Sequence, residues 1–244
     1  MSNSIKHNSL NVDSEYVKFN SKESTEIFTL HEQSMNKNSN KKIIYNKWSE
    51  TYDQYVDLLN YSAPQHLVKM CLPFLSHLNS SHHLNILDFG CGTGLLGTEL
   101  KKQFSLNTNL TGIDISEGMI NECWKKNEYD KLFNIDITVN KYRERYSESE
   151  MLINSIGGCY FDVIICCGVF LEGHINVEII TELLCTLVNK PGYICFSIRD
   201  SYYKENDAFF KNIEKTHKFN ILKKQKISYL ENVDAWGFIL EVEV

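Results

Sequence analysis

Leu84-Asn85-Ile86-Leu87-Asp88-Phe89-Gly90-Cys91-Gly92-Thr93-Gly94-Leu95-Leu96 is the stretch on which the reading of this chain turns. The short apolar run 84–89 reads as a buried strand, and a helical pattern opens at about Leu95. Between them stand three glycines. Glycines at such a turn take positive φ and let a ligand approach the backbone. The helix beyond offers free N–H groups and a favourable dipole. Turns of this kind, at the ends of strands in open α/β sheets, are where ligands bind.

Downstream, Leu110-Thr111-Gly112-Ile113-Asp114 is a second strand whose terminal carboxylate can accept both hydroxyls of a ribose, and Ser116 caps the next helix. Leu132 to Ile137 forms a third strand. Phe161-Asp162-Val163-Ile164-Ile165-Cys166-Cys167 is the fourth and the clearest. A helix from about Val177 buries Ile179, Ile180, Leu183, Leu184 and Leu187, and Pro191-Gly192 turns the chain into Tyr193–Ile198. Strand alternating with helix predicts a parallel sheet covered on both faces. The end breaks that alternation. After a helix at 206–217, Phe219–Leu230 and Trp236–Val244 read as a hairpin, so the last strand runs antiparallel.

Upstream, residues 1–40 are rich in Ser, Asn and Lys and are expected to form a mobile tail with one short helical stretch. Residues 41–244 form the domain, and 41–80 is a helical lid segment at its start. There Ile44, Tyr45, Trp48, Tyr52, Tyr55 and Val56 recur at helical spacing. A second helix starts at Ser62 with Pro64 in its first turn.

The glycine turn has a rival reading. Gly92-Thr93-Gly94-Leu95-Leu96-Gly97 matches G-x-G-x-x-G, with Asp114 about 20 residues on, which is the dinucleotide fingerprint. Two features count against it: the glycines begin earlier, at Gly90, and Asp88 immediately precedes them. A second carboxylate so close suits a ligand with a cationic amino group and repels a pyrophosphate. A strand–helix turn without any ligand is the third reading.

Bulk properties narrow the class. The chain has 244 residues, a length that fits one α/β domain. Its net charge of -6 argues against a nucleic-acid surface, so no nucleic-acid partner is expected. None of the 8 cysteines forms a C-x-x-C pair. Adjacent Cys166 and Cys167 point to opposite faces of a strand and make poor partners for a disulfide or a metal. Reduced cysteines imply a cytoplasmic protein. The first residues carry no apolar signal region, and no apolar run approaches the roughly 20 residues of a membrane span, so no membrane association is expected. No metal-spaced His/Cys/Asp cluster stands out.

Ile86–Gly94 resembles motif I of the class I S-adenosylmethionine-dependent methyltransferases. Gly112-Ile113-Asp114-Ile115-Ser116 with Met119 resembles their acidic-loop motif, Phe161–Gly168 their fourth strand, and Lys190-Pro191-Gly192-Tyr193 the turn before their fifth. The likeness covers roughly 43–244. It implies a Rossmann-like, mostly parallel seven-stranded sheet with helices on both faces and a C-terminal antiparallel β-hairpin. Within that family the chain resembles the Williams–Beuren-region methyltransferase-like group. The matching segments are Tyr45-Asn46-Lys47-Trp48-Ser49-Glu50-Thr51-Tyr52-Asp53, Tyr61–Pro64, Tyr129–Leu132 and Gly168–Ile175. Ser49 stands where the group has Ala, and Met151–Cys159 replaces a short Pro-containing link.

The resemblance implies S-adenosylmethionine as cofactor. Asp88 and the carbonyls around Gly90 and Cys91 would hold its methionine amino group, Gly92 and Gly94 would admit it, and Asp114 would take the ribose hydroxyls. Ile115 and Met119 would flank the adenine, although Met119 fits ordinary core packing as well. Asp136 is either near the adenine amine or a solvated loop residue. Cys167 ends the fourth strand beside the sulfonium. Tyr45, Trp48 and Tyr52 share one helix face, which is a core stripe, a lid whose aromatic faces attract the sulfonium, or both. His174 is a candidate general base or a structural histidine. Without an Asn/Asp-Pro-Pro-Tyr motif after the fourth strand, adenine and glutamine acceptors are disfavoured. A small molecule is the first expectation for the acceptor and a protein side chain the second; a non-catalytic cofactor- or partner-binding module is the competing class.

Overall fold

The computed structural model describes residues 21–79, 83–103, 108–136, 148–156, 158, 160–213, 215 and 219–242. Side chains of the central strands alternate between two apolar cores. In β1 (Leu84–Phe89), Leu84 and Ile86 enter one core, and Leu87 and Phe89 enter the other. Adjacent Cys166 and Cys167 of β4 (Phe161–Phe170) divide the same way. Helices α3 (Ala63–Asn79), α4 (Leu95–Gln103) and α5 (Glu117–Lys126) cover the first face. On the second face lie α6 (Glu148–Ser155), a π-helical turn at Ile180–Leu184 running into α7 (Cys185–Leu187), and, beyond α8 (Asp200–Glu205), α9 (Asp207–Ile213).

The other strands are β2 (Thr108–Asp114), β3 (Lys131–Asn134), β5 (Val188–Arg199), β6 (Phe219–Leu230) and β7 (Val233–Val242). The sheet order is β3-β2-β1-β4-β5-β7-β6. The first five strands pair in parallel, and β7 is antiparallel to both β5 and β6. This is the expected seven-stranded, mostly parallel sheet with its terminal hairpin. The chain winds outward from β1 to β3 and then returns beside β1 as β4. The switch point therefore lies between β1 and β4, where open sheets leave a crevice.

Several boundaries moved. The third strand ends at Asn134, short of Ile137, and the helix expected at 206–217 is the short α9, preceded by a separate short helix, α8. Position 137, most of 214–218 and the final 243–244 lie outside the described residues, as does Cys159 of the link at 151–159.

The larger difference is at the start. Residues 1–20 of the expected tail lie outside the described residues, but from Ser21 the chain is α1 (Ser21–Met35). Leu30 is buried, and the Tyr55 hydroxyl pairs with His31 Nδ1 at 2.9 Å. A boundary at 41 therefore cuts between two helices that pack together. The apolar residues of α1 are too sparse to show a periodic face, yet they are enough once the aromatic side of α2 (Lys41–Leu58) receives them. No described helix is long and apolar enough to cross a membrane.

Candidate active site

The crevice holds a cavity of about 190 Å³ walled by the ends of β1, β2 and β4 and roofed by α2. Its floor is the glycine turn. Gly90, Gly92 and Gly94 have φ of 76°, 54° and 88°, left-handed values that exclude most side chains. The Gly90 and Cys91 N–H groups both donate to the Ile113 carbonyl, at 2.9 and 3.0 Å, which ties the turn to β2. A β-carbon on Gly92 would meet nothing within 4 Å, so this glycine keeps space open.

Two carboxylates frame that space, Asp88 buried and Asp114 half-buried. Asp114 accepts from Gly92 N at 3.0 Å and from Ser116 N at 2.8 Å, one bond to each oxygen. Burial still outweighs these bonds and pushes its carboxyl up to about 6. Asp88 is 1% exposed, and burial pushes it up to about 7, opposed by the Tyr129 hydroxyl that donates to Oδ2 at 2.5 Å. Tyr129 itself accepts from Gly97 N at 3.0 Å.

Tyr129 explains glycines that the sequence reading had spread over two motifs. A β-carbon at Gly97 would lie 2.4 Å from its ring, one at Gly112 3.0 Å, and one at Gly94 3.1 Å. These three glycines form a slot for the tyrosine that holds Asp88. Gly97, which completed the dinucleotide pattern, makes room for a side chain. Gly94 likewise lies outside the cavity lining, packed against Cys123 and Tyr129.

The roof is fastened at both ends. Asn46 Oδ1 accepts from Ser116 Oγ at 2.7 Å and from Gly118 N at 3.0 Å. Thr93 Oγ1 donates to Asp53 Oδ1 at 2.5 Å, and Lys126 pairs with Asp53 Oδ2 at 2.5 Å. This gives the Tyr45–Asp53 segment a mechanical meaning: its polar residues clamp the helix over the turn, and Tyr45 and Tyr52 then line the cavity. Trp48, on the same face, does not. It sits behind them at 2% exposure, stacked at 5.8 Å on Tyr45 and edge-on to Tyr52 and Tyr55. The stripe is thus both lid and core, divided residue by residue.

Ile115, Met119 and Cys167 line the cavity with Asp88, Gly90, Cys91, Gly92 and Asp114. Asp136 does not; its neighbour Ile135 takes that wall. His174 reaches the cavity with both ring nitrogens engaged. Nδ1 lies 3.1 Å from the Glu172 carbonyl, which can only accept, so Nδ1 carries the proton. Nε2 then accepts the Tyr45 hydroxyl at 2.6 Å. Burial pushes the imidazole down to about 4, so it is neutral at physiological pH. Sequence reasoning missed Tyr61, Thr93 and Val169 in the lining and Tyr129 behind it. Tyr129 carried one usable signal, the glycines whose missing side chains it requires.

A family model described as a methyltransferase domain matches residues 87–175. The chain is 34% identical over 222 residues to a malonyl-[acyl-carrier protein] O-methyltransferase of Priestia megaterium, spanning 79% of this chain and 76% of that protein. It is 28% identical over 198 residues to methyltransferase-like protein 27 of Homo sapiens, spanning 79% and 73%. Its fold matches an S-adenosylmethionine-dependent methyltransferase from Clostridium acetobutylicum with a TM-score of 0.51 and 17% identity, over 82% of this chain and 99% of that one. Identity at the level of the Priestia relative, over most of both lengths, settles what the glycine turn belongs to: the chain is a member of the class I S-adenosylmethionine-dependent methyltransferases, with S-adenosylmethionine as cofactor.

Proposed function

We propose that this protein moves the methyl group of S-adenosylmethionine to a small-molecule acceptor, with the cofactor seated between the glycine turn and Asp114. The observation that carries this reading is a pair of carboxylates, Asp88 buried and Asp114 half-buried, each pushed up by desolvation and facing one cavity beside an open glycine. Such carboxylates favour a ligand with a cation and hydroxyl donors. Asp88 suits the amino group, and Asp114 keeps lone pairs for the ribose hydroxyls beyond its two backbone bonds. Gly90, Cys91 and Gly92 bring the backbone close, Ile115 and Met119 offer apolar walls to the adenine, and Tyr45 and Tyr52 close the roof. Trp48 and Gly94 support these groups from behind, and Asp136 stands outside the lining.

When bound, the cofactor would supply an activated methyl group to the acceptor. The chain's own residues need then only align the reactants and exclude water. His174 is assigned a positioning role: a neutral imidazole that accepts the Tyr45 hydroxyl is engaged as a strut and has little basicity. Enclosure under α2 supports a small acceptor over a macromolecular one. The Priestia relative is named for O-methylation of a malonyl group carried on acyl-carrier protein.

Thermal-shift titrations with S-adenosylmethionine, S-adenosylhomocysteine and NAD test the donor half. A ligand at 100 times its dissociation constant stabilises by about 2.7 kcal/mol. Stabilisation by the first two is expected; stabilisation by NAD alone would overturn the reading. A metabolite screen with labelled methyl donor tests the acceptor half, and label found only on protein would refute the small-molecule assignment.

A further inference from the structure

Behind the roof lies a second chamber of about 40 Å³, lined among others by His31, Met35, Tyr61, Arg199 and Tyr229. A water-sized group needs roughly 10–15 Å³, so about three such groups fit, the bulk of a carboxylate. The chamber shares Tyr45, Tyr52, Tyr61 and Gly168 with the main cavity, so a ligand seated in it extends past Gly168 toward the end of β4.

Arg199, the last residue of β5, has its Nε buried with no hydrogen-bond partner. Its guanidinium lies 5.0 Å over the Tyr229 ring, whose hydroxyl it also bonds, and one terminal nitrogen reaches Met35 Sδ at 3.9 Å. The adjacent carboxylate, Asp200, is turned away to Trp236 and Lys204. Among the described residues, no side chain lining the chamber is acidic, although Glu32, outside the lining, acts with Arg199 on Tyr55. Burial, helped by Arg199, pushes His31 down to about 4, and burial pushes Tyr55 up to about 12. Among the described residues, no carboxylate hydrogen-bonds this cation, and a buried cation without such a partner is costly unless a ligand provides one.

We propose that this chamber anchors the methyl acceptor and that Arg199 grips a carboxylate on it. The guanidinium fork matches a carboxylate, and the aromatic walls strengthen the pairing by excluding water. The inference rests on the main cavity holding the methyl donor, and it narrows the acceptor to small carboxylic acids.

The test titrates the full chain, saturated with S-adenosylhomocysteine, with acetate and with neutral acetamide at constant ionic strength, reading thermal stability and calorimetric affinity. Stabilisation by acetate and not by acetamide is expected. Arg199→Met should weaken acetate by about tenfold or more while binding S-adenosylhomocysteine within about twofold of wild type. Arg199→Lys, which keeps the charge and loses the fork, should fall between. Without acetate, Arg199→Met should melt no lower than wild type, because it removes a buried charge that no carboxylate hydrogen-bonds; an arginine with a purely structural role would lower the melting temperature. Equal response to acetate and acetamide, or acetate binding unchanged in Arg199→Met, would overturn the proposal. Failure of S-adenosylhomocysteine to bind wild type would instead overturn the donor reading, and the acceptor role with it.

Discussion

The donor wall and the acceptor chamber lie on either side of Gly168 and are built by opposite means. The donor wall comes from two short stretches, 88–92 and 113–119, held by backbone bonds such as Gly90 N to the Ile113 carbonyl. The chamber takes residues from α1, α2, β5 and β6, and the Nε of its cation has no hydrogen-bond partner. The first is pre-organised for one ligand that a whole family shares. The second is assembled from distant side chains and can vary without disturbing the first. A shared donor with divergent acceptors requires this division.

Breaking the donor wall should have the largest effect. Asp114→Asn removes the charge and sets an amide against backbone N–H donors, so affinity for S-adenosylhomocysteine by calorimetry should fall by about 10- to 100-fold. Wild-type affinity in that variant would refute the ribose assignment. Gly97→Ala probes what supports the wall. Alanine in a helix ordinarily gains up to about 1 kcal/mol over glycine. Here its methyl would press on the Tyr129 ring, so denaturant melts should show a loss of about 1–3 kcal/mol instead. A more stable variant would mean that the tyrosine slot is loose.

Titration offers a gentler probe. Asp88 and Asp114 have folded values of about 7 and about 6, above the ordinary 3.8. The free protein thus takes up protons on folding, and the stability contributed by these groups declines as pH rises from 3.8 through their folded values. A cationic ligand needs them ionised, so cofactor affinity should strengthen as pH rises through the same window, by up to about tenfold per unit. Affinity that is flat from about pH 5 to 8 would show that neither carboxylate faces the ligand's charge. Trp48→Phe should touch the donor side least. Affinity should stay within about twofold while stability drops by about 1–2 kcal/mol, because the indole fills space behind the roof. A large affinity loss would place Trp48 in the cofactor site after all.

Much of this was legible in the chain. The strand–glycine–helix stretch at 84–97 and the carboxylate at 114 are local patterns, and local patterns survive in one dimension. The Tyr45–Asp53 segment was legible as a unit, but its division was not: helical spacing placed Tyr45, Trp48 and Tyr52 on one face and could not say which ring meets the cavity. The role of Gly97 was misleading on its own, since spacing counts glycines and does not reveal what fills the space they leave. From its type alone His174 could be a base or a structural histidine; its two hydrogen-bond partners and its burial are what separate the two.

The sequence by itself determined the parallel sheet, the terminal hairpin and the donor chemistry, because each depends on residues within a few positions of one another and on backbone geometry that glycine permits. The tertiary structure alone decided that α1 packs on α2, that Tyr129 holds Asp88 from 41 residues away, and that the Arg199 Nε is buried without a hydrogen bond beside Tyr229. Those facts depend on burial and on contacts across the fold, which set the electrostatics of a side chain and leave no trace in its immediate neighbours.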